Sequence, residues 1–263
     1  MAKRSFAGKR IVLTGASSGI GWHTASELVR QGAYVVMTSR REDRLRDLRL
    51  AFGNPTKRLI AVPGDITDAE HRKAVIKTAK EQLGGIDILI NNAGVGAIGN
   101  FEESSSDRMR KVFEVDFFAA AELTRLALPH LKRGKQAAVC MVNSVLGHRG
   151  VPQKSEYCAA KFALRGWAEA LRIELSSRNI DVFTVSPSTT RSEFFDSLVD
   201  TVRGKKSASI GSQSPEAVAS QVLIALRKRK RDRVLSAGGK AFVWLSRLAP
   251  NFTDRLLMRY ATA

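Results

Sequence analysis

Short apolar, β-branched runs alternate along the chain with longer stretches in which apolar residues return every three or four positions. The runs Arg10–Thr14, Tyr34–Thr38, Leu59–Val62, Asp87–Ile90, Ala137–Asn143 and Asp181–Ser186 read as strands. The stretches at roughly 19–31, 41–51, 68–83, 107–132 and 155–178 read as helices. Strand–helix alternation of this kind predicts an α/β fold: a doubly wound parallel sheet with helices on both faces. Continuous apolar strands such as Ile88-Leu89-Ile90 fit burial on both sides.

The pattern changes after the sixth strand. Residues 203–214 are polar and rich in Ser, Gly and Lys, the composition of a surface loop or of a lid over a substrate. Ser214-Pro215-Glu216 is a helix start, with serine as N-cap and proline in the first helical position. A helix over about 215–227 follows, and Arg233–Ser236 reads as a seventh strand. Beyond it, Phe242, Leu245, Leu248, Phe252 and Leu256 recur at helical spacing, with Arg247, Arg255 and Arg259 among them and Pro250 as a kink. This divides the chain into a catalytic domain over 1–237 and a basic amphipathic extension over 238–263. Packing on the core or on another subunit is the favoured reading of that extension. Covering the substrate cleft and peripheral contact with an anionic membrane are the others.

Composition narrows the classes. The chain has 263 residues, 44% hydrophobic and 26% charged, which excludes global disorder and a collagen-like fibre. Its apolar runs fall far short of the ~20 residues of a membrane-spanning helix. Near the start only Ile11–Leu13 is apolar, too short for a signal-peptide core, so a cytoplasmic protein is expected. Two cysteines cannot build a disulfide framework or a four-ligand zinc site, and the four histidines show no paired metal spacing; no metal is expected. His148 follows Ser144 closely enough to line the cleft, with a surface position the favoured reading, and Cys140 is expected in a buried strand.

Charge is the unusual feature. The net charge is +18, and residues 201–263 hold thirteen basic residues against three acidic ones. Anionic substrates, nucleic acid, an acidic membrane or simply a solvated basic exterior would all suit this. The run Arg227-Lys228-Arg229-Lys230-Arg231 has no recognised nucleic-acid motif beside it, so no specific nucleic-acid partner is expected.

Chemistry enters with two clusters. The first is Thr14-Gly15-Ala16-Ser17-Ser18-Gly19-Ile20-Gly21, between the first strand and the first helix. Gly15, Gly19 and Gly21 permit a tight turn and close approach of the backbone to a ligand. The helix N-terminus then offers free N–H groups and its positive dipole end to a pyrophosphate, the arrangement of a dinucleotide site. An acidic residue about 20 positions on would bind the ribose 2′-hydroxyl of NAD. Here the second strand ends in Ser39-Arg40-Arg41, without a carboxylate until Glu42. Guanidinium groups suit a 2′-phosphate, so NADP(H) is expected in preference to NAD(H).

The second cluster is Ser144, Tyr157 and Lys161. Tyr157 and Lys161 are four apart in a helical pattern and share a face. Ser144 follows the strand Ala137–Asn143, at the carboxyl edge where parallel sheets hold ligands. Reduction of a ketone by hydride leaves an alkoxide that needs a proton. A phenol can donate it, a nearby ammonium lowers the phenol pKa from its usual value of about 10, and a serine can hold the carbonyl oxygen.

Taken together, these motifs resemble the classical short-chain dehydrogenase/reductase (SDR) family over about residues 8–237. The match includes the glycine turn, Asp65 in Gly64-Asp65-Ile66-Thr67-Asp68, Asn91-Asn92-Ala93-Gly94, Ser144, Tyr157-Cys158-Ala159-Ala160-Lys161 and Ser186-Pro187. The resemblance implies a Rossmann-like single domain, a nicotinamide cofactor, carbonyl/alcohol chemistry on a small molecule, and a homo-oligomer. It implies that Asp65 and Ile66 contact the adenine, and that Asn92, Ala93 and Gly94 line the cofactor cleft. Lys161 would also bind the nicotinamide ribose, and Pro187 to Ser192, with Thr190 among them, would border the nicotinamide. Ser39 matches the aspartate of NAD-dependent members and Arg40 an arginine of NADP-dependent ones.

Three positions depart from the family. Asp116 stands for an asparagine that helps hold a water of a proton relay beside the lysine. An ionised aspartate accepts but cannot donate, and its charge raises the lysine pKa. Ser188 replaces a glycine, and Ser18 a basic residue of many NADP-dependent members. The leading expectation is an active NADP(H)-dependent oxidoreductase with Tyr157 as acid/base and Asp116 tolerated. The alternative is a catalytically impaired cofactor-binding scaffold or membrane-associated regulatory protein. Phe194, Phe195, Leu198 and Val199 hint at a lipophilic substrate.

Overall fold

The computed structural model describes residues 3–54, 57–191, 193–194, 198–200 and 212–259. Ser192, Phe195 and residues 203–211 of the polar stretch therefore lie outside the described residues. Strands β1 (Arg10–Thr14), β2 (Tyr34–Ser39), β3 (Leu59–Pro63), β4 (Ile88–Asn91), β5 (Ala138–Val142), β6 (Asp181–Ser186) and β7 (Asp232–Val234) form one sheet. Their spatial order is β3-β2-β1-β4-β5-β6-β7, with every pair parallel. The chain reverses its direction of travel across the sheet between β1 and β4, the switch point at which such sheets hold ligands.

Alternation along each strand explains the layers. Ile11 and Leu13 of β1 face α1 (Gly19–Arg30), α2 (Glu42–Leu50) and α7 (Pro215–Arg227), through Leu28, Leu48 and Val222. Val12, between them, faces α3 (Ala69–Leu83), α5 (Ala119–Leu131) and α6 (Ser155–Glu174), through Val75, Leu123 and Leu164. Both sheet faces are thus dry, as the continuous apolar strands predict. This is a Rossmann-like architecture in a single domain. Cys140 of β5 is fully buried, and burial pushes its thiol up to about 12.

Several boundaries differ from the expectation, each for a local reason. The stretch at 107–132 is not one regular helix. It is α4 (Ser106–Phe113), a π-helical turn at Glu114–Phe118, and α5. Such a turn carries one extra residue, and helices tolerate it mostly at functional positions. The helix begun at Ser155 ends at Glu174, followed by a 3₁₀ turn at Ser176–Arg178. The last strand stops at Val234, because Ser236 is used as the N-cap of α8 (Ala237–Leu248), its Oγ accepting from Gly239 N at 2.8 Å. Ser214 caps α7 in the same way, accepting from Ala217 N at 3.2 Å.

Arg4 is buried (1% exposed) and ties distant segments together. It donates to Leu226 O at 2.6 Å, to Gln136 O at 3.0 Å and to Asp181 at 2.8 Å, and lies over the Phe183 ring. Part of the basic run is used in the same way. Arg229 pairs with Asp181 at 2.8 Å, and Arg227 lies over the Phe6 ring.

The C-terminal extension folds as α8 and α9 (Pro250–Met258), broken at Ala249–Pro250. The inward face is Phe242, Val243, Ser246, Thr253 and Leu257. This corrects the expected stripe: Leu248 is 77%, Phe252 58% and Leu256 37% exposed. The single spacing read across 242–256 does not survive the break, since Ala249 leaves the helical backbone region and α9 starts afresh. Among the described residues, no helix is long and apolar enough to cross a membrane.

Candidate active site

The turn between β1 and α1 is assembled by backbone and side chain together. Thr14 Oγ1 accepts from Asn92 N at 3.0 Å and Ala93 N at 2.9 Å, while Asn92 Nδ2 donates to Thr14 O and Gly15 O, both at 3.0 Å. Gly15 has φ +68°, and a Cβ there would lie 2.8 Å from Ala93 Cα. Only glycine fits. Ser18 is the N-cap of α1 but makes no side-chain cap, so the first N–H groups of the helix stay open to a ligand.

An open cleft of about 320 Å³ lies at this turn. Its walls include Gly15, Ser17, Ser18, Gly19, Ile20, Gly21, Ser39, Arg40, Arg41, Asp65, Ile66, Asn92, Ala93 and Gly94, all singled out from the sequence. Asp65 Oδ1 accepts from Thr67 N at 2.9 Å and Thr67 Oγ1 at 2.8 Å. Burial alone would raise this carboxyl; the Thr67 bonds and the Arg40 charge outweigh it and hold it low. Arg41 bridges the rim, donating to Ser17 Oγ at 3.2 Å and to Glu193 at 2.6 Å. Arg44 reaches the other Glu193 oxygen at 3.3 Å. The residues present suit a dinucleotide: uncapped helix N–H groups for a pyrophosphate, and a guanidinium rim at the end of β2.

The second cluster adjoins this cleft. Ser144 leaves β5 and caps a short turn, its Oγ accepting from Leu146 N at 3.1 Å. Tyr157 and Lys161 project from the first turns of α6, and the Tyr157 hydroxyl shares a hydrogen bond with Ser144. Lys161 Nζ lies 5.5 Å from the Tyr157 ring centre and 3.0 Å from Asp116 Oδ2. The π-helical turn presents Asp116 here, and its Oδ1 accepts from Val95 N at 2.7 Å. A Cβ on Gly94 would come within 3.3 Å of both Lys161 Nζ and Asp116 Oδ1, so the cleft wall and this ion pair touch. On the other side, the Tyr157 ring meets Phe194, a cleft residue, edge-on at 5.7 Å.

The electrostatics differ from expectation in one respect. The phenol of Tyr157 is pushed above its ordinary value: burial is the main cause, Asp116 adds to it, and Lys161 and Ser144 oppose them. Asp116 offsets part of the lysine's pull on the phenol. Lys161 itself is raised: burial disfavours its charge, but Asp116 and Tyr157 more than compensate. Burial raises Asp116 despite Lys161 and the Val95 N–H.

Besides Ser144, Tyr157, Lys161 and Asp116, which adjoin the cleft without lining it, two further expected residues stand apart from its wall. Pro187 and Thr190 follow β6, and Thr190 forms a parallel bridge to Gln213. Ser188 accepts a hydrogen bond from Ser236 at 3.0 Å. His148 is a correction. It is half-buried, with Nε2 3.0 Å from Ser186 Oγ, and burial pushes its pKa down to about 4. Sequence reasoning missed Glu193 and the ion pair Arg108–Glu156, 2.6 Å and 3% and 0% exposed, which anchors the first turn of α6 beside Tyr157. Glu156 is next to Tyr157 in the chain, but Arg108 is 48 residues away and only the fold joins them. Among the described residues, no group of His, Cys, Asp or Glu could hold a metal ion.

Residues 9–203 match the family model for short chain dehydrogenases. The chain belongs to the short-chain dehydrogenase family. These are oxidoreductases, and the relatives agree. An uncharacterized oxidoreductase of Bacillus subtilis, YxnA, is 35% identical over 94% of this chain and 70% of its own length. A short-chain dehydrogenase/reductase of Burkholderia phymatum, solved with NAD, superposes with a TM-score of 0.86, covering 95% of this chain and 96% of that one at 23% identity. A short-chain dehydrogenase of Burkholderia cenocepacia, solved with NADP, gives 0.78 at 26% identity, covering 90% and 100%.

Proposed function

We propose that this short-chain dehydrogenase is NADP(H)-dependent and interconverts a ketone and a secondary alcohol, with Tyr157 as the acid/base. The single observation that carries the reading is Tyr157 lying between Ser144 and Lys161, with Lys161 against Gly94 on the wall of a cleft built around an uncapped helix N-terminus. Gly15 to Gly21, with Ser17 and Ser18, would hold the pyrophosphate. Asp65 and Ile66 would meet the adenine, and Asn92 to Gly94 would back the nicotinamide half, which Pro187 and Thr190 would border.

When bound, the nicotinamide supplies or accepts the hydride. The chain's own residues manage the proton and the orientation. Ser144 holds the carbonyl oxygen near the phenol, and Tyr157 passes its proton to the developing alkoxide. Lys161 lies beside the phenol and would bind the ribose. The raised phenol favours the protonated, reducing form at neutral pH. Preference for NADP(H) over NAD(H) rests on Arg40 and Arg41 at the end of β2, where the strand itself supplies no carboxylate before Glu42. Phe194 and Leu198, which pack over Gly96, favour a lipophilic substrate. The reading includes a cytoplasmic homo-oligomer, with residues 1–237 as the catalytic part and 238–263 as an extension.

A carbonyl panel assayed with NADPH and NADH tests the reading. Tyr157→Phe is expected to lose nearly all turnover while still binding NADPH. One observation favours a second reading, a scaffold with little turnover: Asp116 pairs with the lysine at 3.0 Å and opposes its effect on the phenol. If wild type and Tyr157→Phe are equally inert on every compound, that second reading holds.

A further inference from the structure

The outward faces of α8 and α9 carry one motif twice. On α8, Lys240, Trp244, Arg247 and Leu248 are exposed and spaced i, i+4, i+7 and i+8, so they share one stripe. On α9, Phe252, Arg255, Leu256 and Arg259 are exposed and spaced i, i+3, i+4 and i+7. Trp244 is 62%, Leu248 77% and Phe252 58% exposed, whereas the opposite faces of the same helices are buried through Phe242, Val243, Thr253 and Leu257. Isolated exposed apolar residues are ordinary; an aromatic and a leucine on each of two consecutive helices, interleaved with cations, form a patch.

We infer that this outer face of α8 and α9 docks the protein on an anionic lipid bilayer. Apolar side chains at such a surface enter the acyl boundary while lysine and arginine heads stay at the phosphates. Tryptophan suits that depth because its ring is apolar and its N–H polar. No carboxylate interrupts either stripe. Asp254, the acidic residue of α9, is exposed but lies outside both stripes, and its charge is paired with Arg149. A second copy of the chain fits less well. A symmetric interface would bring this cationic face, with Arg247, Arg255 and Arg259, against the same cationic face of another molecule that also carries +18. A polyanion such as nucleic acid would use the cations and leave Trp244 and Leu248 in water.

The position of the face gives the docking a use. Ser236, the cap of α8, donates to Ser188 at 3.0 Å, and a Cβ on Gly239 would lie 2.9 Å from Val145, the neighbour of Ser144. The two helices therefore sit beside the loops that carry the candidate catalytic serine, and a bilayer on their outer face would lie near the substrate side of the site. This inference does not depend on the catalytic reading, because its readout is binding.

Full-length protein is sedimented with vesicles of phosphatidylcholine alone or phosphatidylcholine mixed with phosphatidylserine. Pelleting is expected with the anionic vesicles only, and added salt should release the protein. Arg255→Ala and Arg259→Ala should each weaken binding about fivefold. The double variant Trp244→Ser, Phe252→Ser should stay in the supernatant. Because those side chains are exposed, its thermal transition should match wild type. Wild-type tryptophan emission should shift to the blue on anionic vesicles. Protein that stays in solution, pellets equally with neutral vesicles, shows no blue shift, or is indifferent to the double substitution overturns the proposal. So does a drop in sedimenting mass of the double variant without vesicles, which would make the face a contact between copies.

Discussion

Lys161 and Asp116 stand 3.0 Å apart, with side chains 4% and 0% exposed. Two opposite charges held this closely out of water cancel most of each other's field at a distance. The phenol of Tyr157 therefore feels its own burial more than it feels a free ammonium. An asparagine at this position would leave the lysine's charge uncompensated.

That difference sets a pH dependence. Reduction needs a protonated phenol, so its rate should hold through neutral pH and fall only on the alkaline side. Oxidation needs the phenolate and should climb over the same alkaline range. In Asp116→Asn the charge that raises the phenol is gone, so both limbs should move to lower pH, with turnover kept or increased. Steady-state rates against pH in both directions measure this. A complete loss of turnover in Asp116→Asn would show that the carboxylate has a role of its own.

The rim of the cleft offers a second test. Glu193 occupies Arg41 and Arg44 through both its oxygens, and a 2′-phosphate would compete for those same guanidinium groups. Glu193→Gln should tighten NADPH binding while leaving NADH unchanged. Arg41→Ala should weaken NADPH by about tenfold or more, the loss of one or two charge-assisted hydrogen bonds. Fluorescence titration of both nucleotides reads the difference. Tighter binding of NADH than NADPH by the wild type would end the NADP assignment.

The pair Arg108–Glu156 predicts a change in stability. Burial would raise Glu156, but its hydrogen bonds to its own backbone, Arg108 and Ser155 outweigh this and hold it below its ordinary value. A carboxyl depressed on folding stabilises the protein at neutral pH and loses that contribution as pH falls through the lowered value. Glu156→Gln leaves Arg108 buried without its counter-charge and should cost about 3 kcal/mol in urea unfolding at pH 7. Arg108→Met together with Glu156→Leu should recover part of that loss. Turnover should fall in the single variant, because α6 carries Tyr157 in the turn that this pair anchors.

His148 predicts a further loss of stability on acidification. Its folded pKa is near 4 against an ordinary 6.5, so it stays neutral in the fold and takes up a proton more readily when unfolded. Its contribution is complete above about 6.5 and declines as pH falls towards 4. His148→Asn should flatten that part of the thermal stability curve. A curve unchanged by the substitution would refute the assignment.

Much of this was readable from spacing. The strands could be placed because each is a short β-branched run, and the glycine turn, the Asn92–Gly94 loop and Tyr157 with Lys161 each lie within one local pattern. Local patterns do not show who meets whom across the fold. Glu193 reaches Arg41 over 152 residues, and Arg108 reaches Glu156 over 48. The π-helical turn at Asp116 was hidden because the apolar rhythm of a helix carries through it. The direction of the C-terminal helices was misjudged because Leu248, Phe252 and Leu256 keep a helical rhythm across a break that resets the helix. His148 looked like a loop histidine, since nothing in the neighbouring residues foretells Ser186 as its partner.

The anchoring of Arg4 bears on how the molecule is made. Its acceptors come from Gln136, Asp181 and Leu226, the last of them 222 residues downstream. While the chain is being synthesised, this cation lacks its full set of acceptors until the helix ending at Arg227 has emerged. The sheet's opening strands can pair early, but the amino terminus is sealed among the last steps of folding. Shortened products that end before α7 would leave that end undocked and open to proteolysis.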